Sequence, residues 1–177
     1  ISSESILVDN IIHCAGMMKV MHMRSVDLLN TRQIFRVNVF SIIEIIATLL
    51  NKRVNNCQIN SIIFISAILA RFGSTGHHLY SSTKAALDGL MRSLAVELAP
   101  KTRVNSILPG AVNTQMSHEL LSNEAVLNKL NNDYLLGIGE PNHISSVVRF
   151  LISNDSIWIT GQELIVDGGR TINIKNN

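Results

Sequence analysis

The chain has 177 residues, 46% of them hydrophobic and 16% charged, which suits one domain with a single core and excludes a disordered, fibrous or low-complexity protein. Its formal charge of +2 comes from 15 basic and 13 acidic residues spread along the sequence, so no nucleic-acid partner is expected. The two cysteines, Cys14 and Cys57, form neither a disulfide framework nor a metal-ligand spacing with histidines, which predicts a reducing compartment and no metal site.

Two further features bear on location. The apolar stretch Ile42 to Leu50 is interrupted by Glu44, so no membrane span is expected. The opening residues, ISSES, lack the basic and apolar regions of a signal peptide. The sequence therefore predicts a cytoplasmic protein without a membrane partner.

The first half of the chain predicts two strands around one helix. The apolar run Val8 to Cys14 is typical of a short strand, and Gly16 directly after it allows a tight turn. Apolar residues then recur at helical spacing from Thr31 to Lys52, with Thr31 as the expected N-cap. The continuous, partly β-branched run Ser61 to Ser66 indicates a central parallel strand.

The second half continues this alternation. Its predicted segments are a helix at Tyr80 to Leu98, a strand at Arg103 to Leu108, a candidate lid without strands at Asn113 to Gly139, a helix at Pro141 to Ser153 and a strand at Glu163 to Val166. Residues 1–177 are therefore expected to form one doubly wound, Rossmann-like α/β domain, a parallel sheet with helices on both faces. Because ligands of such folds bind beyond the carboxyl ends of the strands, chemistry is expected in the loops after Cys14, Ser66 and Leu108.

Tyr80 and Lys84 form the first candidate catalytic pair. They are four residues apart at the start of a predicted helix, so their side chains lie on one face. An unperturbed phenol has a pKa of about 10, and a neighbouring ammonium favours its ionised form. The pair could act as a general acid and base. The same spacing is common by chance, and the alternative is a half-buried tyrosine beside a solvated lysine.

Five ordered motifs resemble the short-chain dehydrogenase/reductase family. They are HCAG at 13–16, RVNV at 36–39, YSSTKAAL at 80–87, LAVELAP at 94–100 and ITGQELIVDGG at 159–169. The carboxyl-terminal half is most similar to the 3-oxoacyl-carrier-protein-reductase-like branch. The resemblance implies hydride transfer between NAD or NADP and a carbonyl or alcohol substrate.

The resemblance also implies roles for three side chains. Tyr80 would be the catalytic acid/base that exchanges a proton with the substrate oxygen. Lys84 would lower the pKa of Tyr80 and hydrogen-bond the nicotinamide ribose. Asn38 would hold a water in the proton relay, and its alternative is a polar residue on a helix bend.

Cofactor contacts are implied at Tyr80 and Lys84 and in the loops after two strands. The loop positions are Cys14, Ala15, Gly16, Pro109, Gly110, Val112 and Thr114. The family usually has Asn-Asn-Ala-Gly where this chain has His13-Cys14-Ala15-Gly16, a change that backbone contacts tolerate, and Cys14 is expected to be a small buried residue. The alternative for Pro109 and Gly110 is a simple strand-ending turn.

The substrate-orienting serine is the main departure from the family. It usually stands about thirteen residues before the tyrosine, which here is Ala67, while Ser66 is one position early. Adjacent strand residues point to opposite faces. Either the loop re-aims Ser66, which makes it a candidate catalytic residue, or the hydroxyl is absent and activity is reduced.

No glycine-rich turn that could bind a dinucleotide pyrophosphate occurs in the chain. By resemblance the chain corresponds to the carboxyl-terminal two thirds of the family domain, without the first βαβαβ portion of about 60 to 70 residues. The strand near Val8 to Ile12 would then be an open sheet edge. A truncated gene product, a processed or partly ordered protein and an assembly that pairs these edges are all compatible with this pattern.

Two functional hypotheses remain. The first is an NAD(P)-dependent oxidoreductase of a small carbonyl or alcohol substrate, of which a 3-oxoacyl type is one candidate, in a homodimer or homotetramer. The second is an inactive or weakly active family remnant that serves as a structural or interaction subunit. A sugar-nucleotide epimerase is disfavoured because few residues follow Gly169 to form a substrate domain.

Overall fold

A four-stranded parallel sheet forms the centre of the fold. A computed structural model describes residues 7–55 and 58–173, so Cys57 and the ISSES segment lie outside the described residues. The strands are β1 (Asn10–His13), β2 (Ser61–Ile65), β3 (Arg103–Pro109) and β4 (Glu163–Val166). They lie in the order β1-β2-β3-β4, and every neighbouring pair is parallel. The carboxyl ends of all four strands therefore meet at one edge of the sheet.

Helices connect the strands. They are α1 (Leu28–Phe35), a π-helical turn (Arg36–Phe40), α2 (Ser41–Leu49), α3 (His78–Leu98), α4 (His118–Leu121), α5 (Glu124–Asp133) and α6 (Pro141–Ile152). Short 3-10 turns lie at Met23–Ser25, Ile68–Ala70 and Asn154–Ser156. None of these helices, within the part of the chain that is described, is long and apolar enough to cross a membrane.

Alternate residues of β2 enter two different cores. Ile62 and Phe64 are buried against α2 and α3, in contact with side chains such as Met91. Ile63 is buried on the opposite face with Leu151 of α6. A strand that is buried on both faces is typical of a parallel sheet between helical layers. The prediction of a doubly wound α/β fold is confirmed.

The first helix begins earlier than predicted. Its N-cap is Asp27, whose carboxylate accepts the Asn30 N–H at 2.7 Å, whereas Thr31 lies inside the helix and its hydroxyl donates to the Asp27 carbonyl. Aspartate is a strong N-cap because it satisfies amide groups that the first turn leaves without partners. The expected N-cap at Thr31 is therefore wrong.

Residues 113–139, predicted as a mixed segment without strands but with helical patches such as Ser122 to Asn131, carry two short helices, α4 and α5. The Asn123 side chain caps α5 by accepting the Val126 N–H at 3.2 Å. Val112 and Gly139, at the two ends of this segment, form one isolated parallel bridge. The segment thus leaves and returns to the sheet at nearly the same place.

Candidate active site

Tyr80 and Lys84 lie in the first two turns of α3, at the carboxyl edge of the sheet. Lys84 is only 4% exposed, and its Nζ donates to the carbonyl oxygen of Ile65 at 2.7 Å. The same Nζ lies 5.5 Å from the centroid of the Tyr80 ring, a cation–π distance. The alternative of a solvated lysine is wrong, because Lys84 is buried between α3 and the end of β2.

Burial moves the pKa values of this pair in opposite directions. It raises the pKa of Tyr80 to about 12. It lowers the pKa of Lys84 to about 8, against the favourable charges of Asp88 and Cys14. The expectation that Lys84 lowers the pKa of Tyr80 is therefore not met here, since the ammonium is directed to a main-chain carbonyl and to the ring. At neutral pH Tyr80 carries its proton, and most of Lys84 is charged.

Asn38 connects three segments of the site. It is fully buried in the π-helical turn between α1 and α2. Its Oδ1 accepts the Met17 N–H at 2.8 Å, and its Nδ2 donates to the Met17 carbonyl at 3.0 Å and to the Thr83 hydroxyl at 2.9 Å. Thr83 in turn donates to the Tyr80 carbonyl at 2.8 Å. The helix irregularity thus positions a side chain that fastens the loop after β1 to the start of α3.

The loop after β1 brings Gly16 against the same groups. A Cβ on Gly16 would lie 3.5 Å from Lys84 Nζ and 3.7 Å from Asn38 Oδ1, so this glycine leaves its backbone open beside the buried lysine. Cys14 and Ala15 precede it and are exposed. The expectation that Cys14 is buried is wrong, because β1 ends at His13 and Cys14 lies in the loop beyond the sheet.

Ser66 is not placed beside Tyr80. It continues the β2 face that packs on α3, and its hydroxyl donates toward Asp88 Oδ2 at 3.0 Å and the Lys84 carbonyl at 3.2 Å. Asp88 follows Tyr80 by eight residues, or about 12 Å along a helix. Ala67, thirteen residues before Tyr80, has extended backbone and no hydroxyl. The structure thus directs Ser66 into the interior, away from the position that a substrate-orienting hydroxyl needs.

The remaining predicted cofactor residues lie at the end of β3 and in its loop. Gly110 donates its N–H to the Val166 carbonyl at 3.1 Å, and a Cβ there would lie 2.6 Å from Tyr134 Cε1. Pro109 is the last residue of β3, Val112 forms the bridge to residue 139, and Thr114 is exposed. These residues share the carboxyl edge with Tyr80 and Gly16.

Three residues of this edge make contacts that the sequence-based prediction did not give. Tyr134 accepts the Ala111 N–H with its phenol oxygen at 2.8 Å, which fixes the loop after β3. Met17 and Thr83 hold both ends of the Asn38 amide. Thr83 could have been suspected, because it precedes Lys84 on the same helix. Met17 and Tyr134 carry no local signal, since their roles depend on distant contacts.

Comparisons with known proteins show which proteins this chain resembles. The family model described as "Enoyl-(Acyl carrier protein) reductase" matches residues 2–171. The chain is 34% identical, over 92% of its length, to a 3-oxoacyl-[acyl-carrier-protein] reductase of Buchnera aphidicola. It is 34% identical, over 85% of its length, to an L-rhamnose 1-dehydrogenase (NADP(+)) of Thermoplasma acidophilum.

A solved structure is also similar in fold. A 4-hydroxyisoleucine dehydrogenase mutant complexed with NADH and succinate superposes with a TM-score of 0.89 at 27% identity, over 97% of this chain and 72% of that one. The chain spans 66% of the Buchnera reductase and 59% of the Thermoplasma dehydrogenase. It therefore matches less than two thirds of either curated relative.

Proposed function

The chain belongs to the short-chain dehydrogenase/reductase family. From this premise we propose that the protein interconverts a carbonyl and an alcohol with NAD or NADP, using Tyr80 as its acid/base. The observation that carries the proposal is the buried Tyr80–Lys84 pair at the carboxyl edge of the sheet, with Asn38 and Gly16 against it. This edge is where ligands of parallel α/β sheets bind.

The residues at this edge fit the nicotinamide end of a dinucleotide. The Lys84 ammonium provides hydrogen-bond donors that suit ribose hydroxyls, and the absence of a side chain at Gly16 leaves open space within 3.5 Å of it. Loop residues after β1 and β3, from Cys14 to Gly16 and from Pro109 to Thr114, lie along the same edge. A bound nicotinamide would supply or accept the hydride.

The proton chemistry belongs to Tyr80. With its pKa raised to about 12, the phenol is protonated over the physiological range and acts as a donor to a developing alkoxide. Lys84, with its pKa lowered to about 8, is mostly charged at neutral pH, and its ammonium can bind the nicotinamide ribose beside the Tyr80 ring. Asn38 and Thr83 fix the turn of α3 that bears Tyr80 and so keep its oxygen in place.

An acyl-chain substrate of the 3-oxoacyl type is the first candidate. The loop after β1 is rich in methionine, and Met17, Met18 and Met21 are each partly buried there. Met21 donates its N–H to the Gly76 carbonyl at 3.1 Å, which joins this loop to the one after β2. Flexible thioethers adapt to apolar groups. The similarity to the Buchnera reductase supports the same class.

The test is an assay of the polypeptide that the gene encodes with acetoacetyl thioesters and NADPH or NADH. Oxidation of the cofactor is monitored by the loss of absorbance of the reduced nicotinamide. We expect turnover that depends on the ketoacyl group, with a butyryl thioester as the matched substrate without a ketone. Equal signals with both thioesters would remove the assigned carbonyl chemistry.

A weakly active or inactive subunit is the second candidate. It is favoured by Ala67, which supplies no hydroxyl, and by the interior placement of Ser66. We also expect the 177-residue chain by itself to bind NADH and NADPH more weakly than micromolar, because it contains no glycine-rich pyrophosphate turn. Titration calorimetry measures this directly, and a micromolar Kd would contradict the expectation.

A homodimer or homotetramer is part of the proposal. Trp158 is 97% exposed just before β4, and Val96 is 82% exposed on the outer face of α3. Large apolar side chains with this exposure are typical of protein–protein contacts. We expect Trp158→Glu to lower the oligomeric mass in light scattering, and Ser145→Glu, at an exposed polar position on α6, to leave it unchanged.

A further inference from the structure

His13 is a buried titratable residue that the proposed chemistry does not use. It ends β1, is 4% exposed, and packs edge-on against the Phe64 ring with centroids 6.3 Å apart. Its Nε2 lies 3.1 Å from the main-chain carbonyl oxygen of Asn38. A carbonyl oxygen only accepts hydrogen bonds, so this contact requires the proton to be on Nε2.

The carbonyl that His13 contacts belongs to an irregular turn. In this turn the Ser41 N–H bonds to the Arg36 carbonyl, five residues earlier, instead of the usual four. The side-chain amide of Asn38 is already hydrogen-bonded to Met17 and Thr83. The main-chain carbonyl of Asn38 is therefore held by His13 of β1, and its side chain is held by Thr83 of α3.

We propose that His13 is a positioning residue: by donating from Nε2 to the Asn38 carbonyl, it fixes the π-helical turn so that Asn38 holds the Tyr80 segment of α3 against the end of β1. The kinetic part of this inference rests on the proposed oxidoreductase function. The hydrogen bond from His13 to the Asn38 carbonyl does not depend on that function. His13 would act through Asn38 and touch neither cofactor nor substrate.

The surroundings of His13 favour the neutral imidazole. Burial lowers its pKa, the Asn38 carbonyl opposes that shift, and the nearby Lys84 ammonium on α3 lowers the pKa further. From β2 it faces the uncharged Phe64 ring, and the next residue along the chain is the thiol of Cys14. A neutral imidazole has one N–H, which the Asn38 carbonyl engages.

The first test is the tautomer of His13, read from long-range nitrogen–proton correlations of the 15N-labelled protein. His13 resonances are identified by their loss in His13→Gln. We expect the Nε2–H tautomer. An Nδ1–H tautomer at neutral pH would overturn the inference, because an unprotonated Nε2 cannot donate to a carbonyl.

The second test compares two substitutions kinetically. His13→Leu removes the donor, and we expect kcat to fall on the order of tenfold at nearly constant KM, because small misplacements of catalytic groups are costly. His13→Gln restores an amide donor of similar reach and should recover most of kcat. Equal kcat values for the two variants would overturn a positioning role. If the wild-type protein shows no turnover, the proposed function fails while the tautomer still decides the contact.

The third test follows melting temperature against pH and needs no activity. Because the pKa of His13 is lowered in the fold, the unfolded chain binds more protons below about pH 6.5, and stability falls as the pH falls through this range. His13→Gln should lessen that fall. His22→Gln, at an exposed histidine, is the matched control and should leave it unchanged. If the melting temperatures of the wild type and His13→Gln change identically with pH, His13 is not a buried neutral imidazole in the fold.

Discussion

Two polar clusters along α3 differ in what surrounds them. The tyrosine cluster comprises Asn38, Tyr80, Thr83 and Lys84 at the carboxyl edge of the sheet. The aspartate cluster comprises Ser66, Asp88, Arg92 and Glu163, further along the helix. Each contains one charged residue that is nearly fully buried, Lys84 at 4% and Asp88 at 3% exposure.

Burial favours the neutral form of both Lys84 and Asp88, and so shifts their pKa values in opposite directions. It lowers the pKa of Lys84 and raises that of Asp88, because both shifts favour the neutral form. The hydroxyls of Ser66 and Ser106 oppose the shift of Asp88. The Asp88 charge in turn raises the pKa of Lys84. The aspartate cluster is therefore a structural element that also supports the charge of the tyrosine cluster.

The largest difference between the clusters should appear with Tyr80→Phe. We expect kcat for carbonyl reduction to fall by about 10³-fold, in the range typical of a lost general acid, with an unchanged circular dichroism spectrum and melting temperature. Ser82→Ala, an exposed hydroxyl on the same turn of α3, is the control and should retain wild-type kcat. Unchanged turnover in Tyr80→Phe would remove the assigned acid.

Ala67→Ser and Ser66→Ala should distinguish the clusters, the first by its effect on kcat and the second by its effect on stability. A hydroxyl at residue 67 is expected to raise kcat by roughly a hundredfold, because one donor to a developing oxyanion contributes roughly a hundredfold to a thousandfold. Ser66→Ala removes a hydrogen bond to buried Asp88 and should lower the free energy of unfolding by about 1–2 kcal/mol, with little change in kcat. A large loss of kcat in Ser66→Ala would return Ser66 to the catalytic group.

Asp88→Asn tests the link between the clusters. In the proposed reaction the Lys84 ammonium binds the nicotinamide ribose, so activity should decline as the pH rises through about 8, the lowered pKa of that residue. Without the Asp88 charge the pKa of Lys84 falls further, and the decline should move to lower pH. The pH profile of kcat measures this shift. An unmoved profile would mean that Asp88 does not support Lys84.

Asp88→Asn should also change the pH dependence of stability. The pKa of Asp88 is raised in the fold, so above about pH 4 the folded chain binds more protons than the unfolded one, and stability declines with rising pH until the folded group has titrated. Asparagine cannot titrate, and this decline should be absent in thermal unfolding curves between pH 4 and 7. A steeper decline in the variant would reverse the assigned sign.

The smallest effect is expected at the outer end of the aspartate cluster. Arg92 pairs with Glu163, and Arg71 pairs with the same carboxylate at 2.6 Å. The arginine side chains are 59% and 46% exposed, so solvent screens both pairs. Arg92→Gln should change the free energy of unfolding by less than about 1 kcal/mol in urea titrations. A loss above 2 kcal/mol would indicate a contribution beyond the exposed pair.

Local pattern predicted the elements that depend on neighbours in sequence. The run Ser61 to Ser66 was predicted as a strand, and β2 covers Ser61–Ile65 of it, while Glu163–Val166 lies in the sheet as predicted. The Tyr80–Lys84 spacing determines that both side chains lie on one face of α3. Patterning, however, could not place the helix start at Asp27, because both Asp27 and Thr31 are plausible caps and only one precedes the first turn.

The sequence by itself determined the alternation of strands and helices, the sheet edge at which chemistry is expected and the shared face of Tyr80 and Lys84, because these follow from periodicity and from spacing along one helix. Only the tertiary structure decided the rest. It turned Ser66 toward Asp88, joined Met17 to Thr83 through Asn38, and set His13 against the Asn38 carbonyl. These contacts join residues from 21 to 45 positions apart, and hydrogen bonds over such separations depend on how the elements pack, which no local pattern encodes.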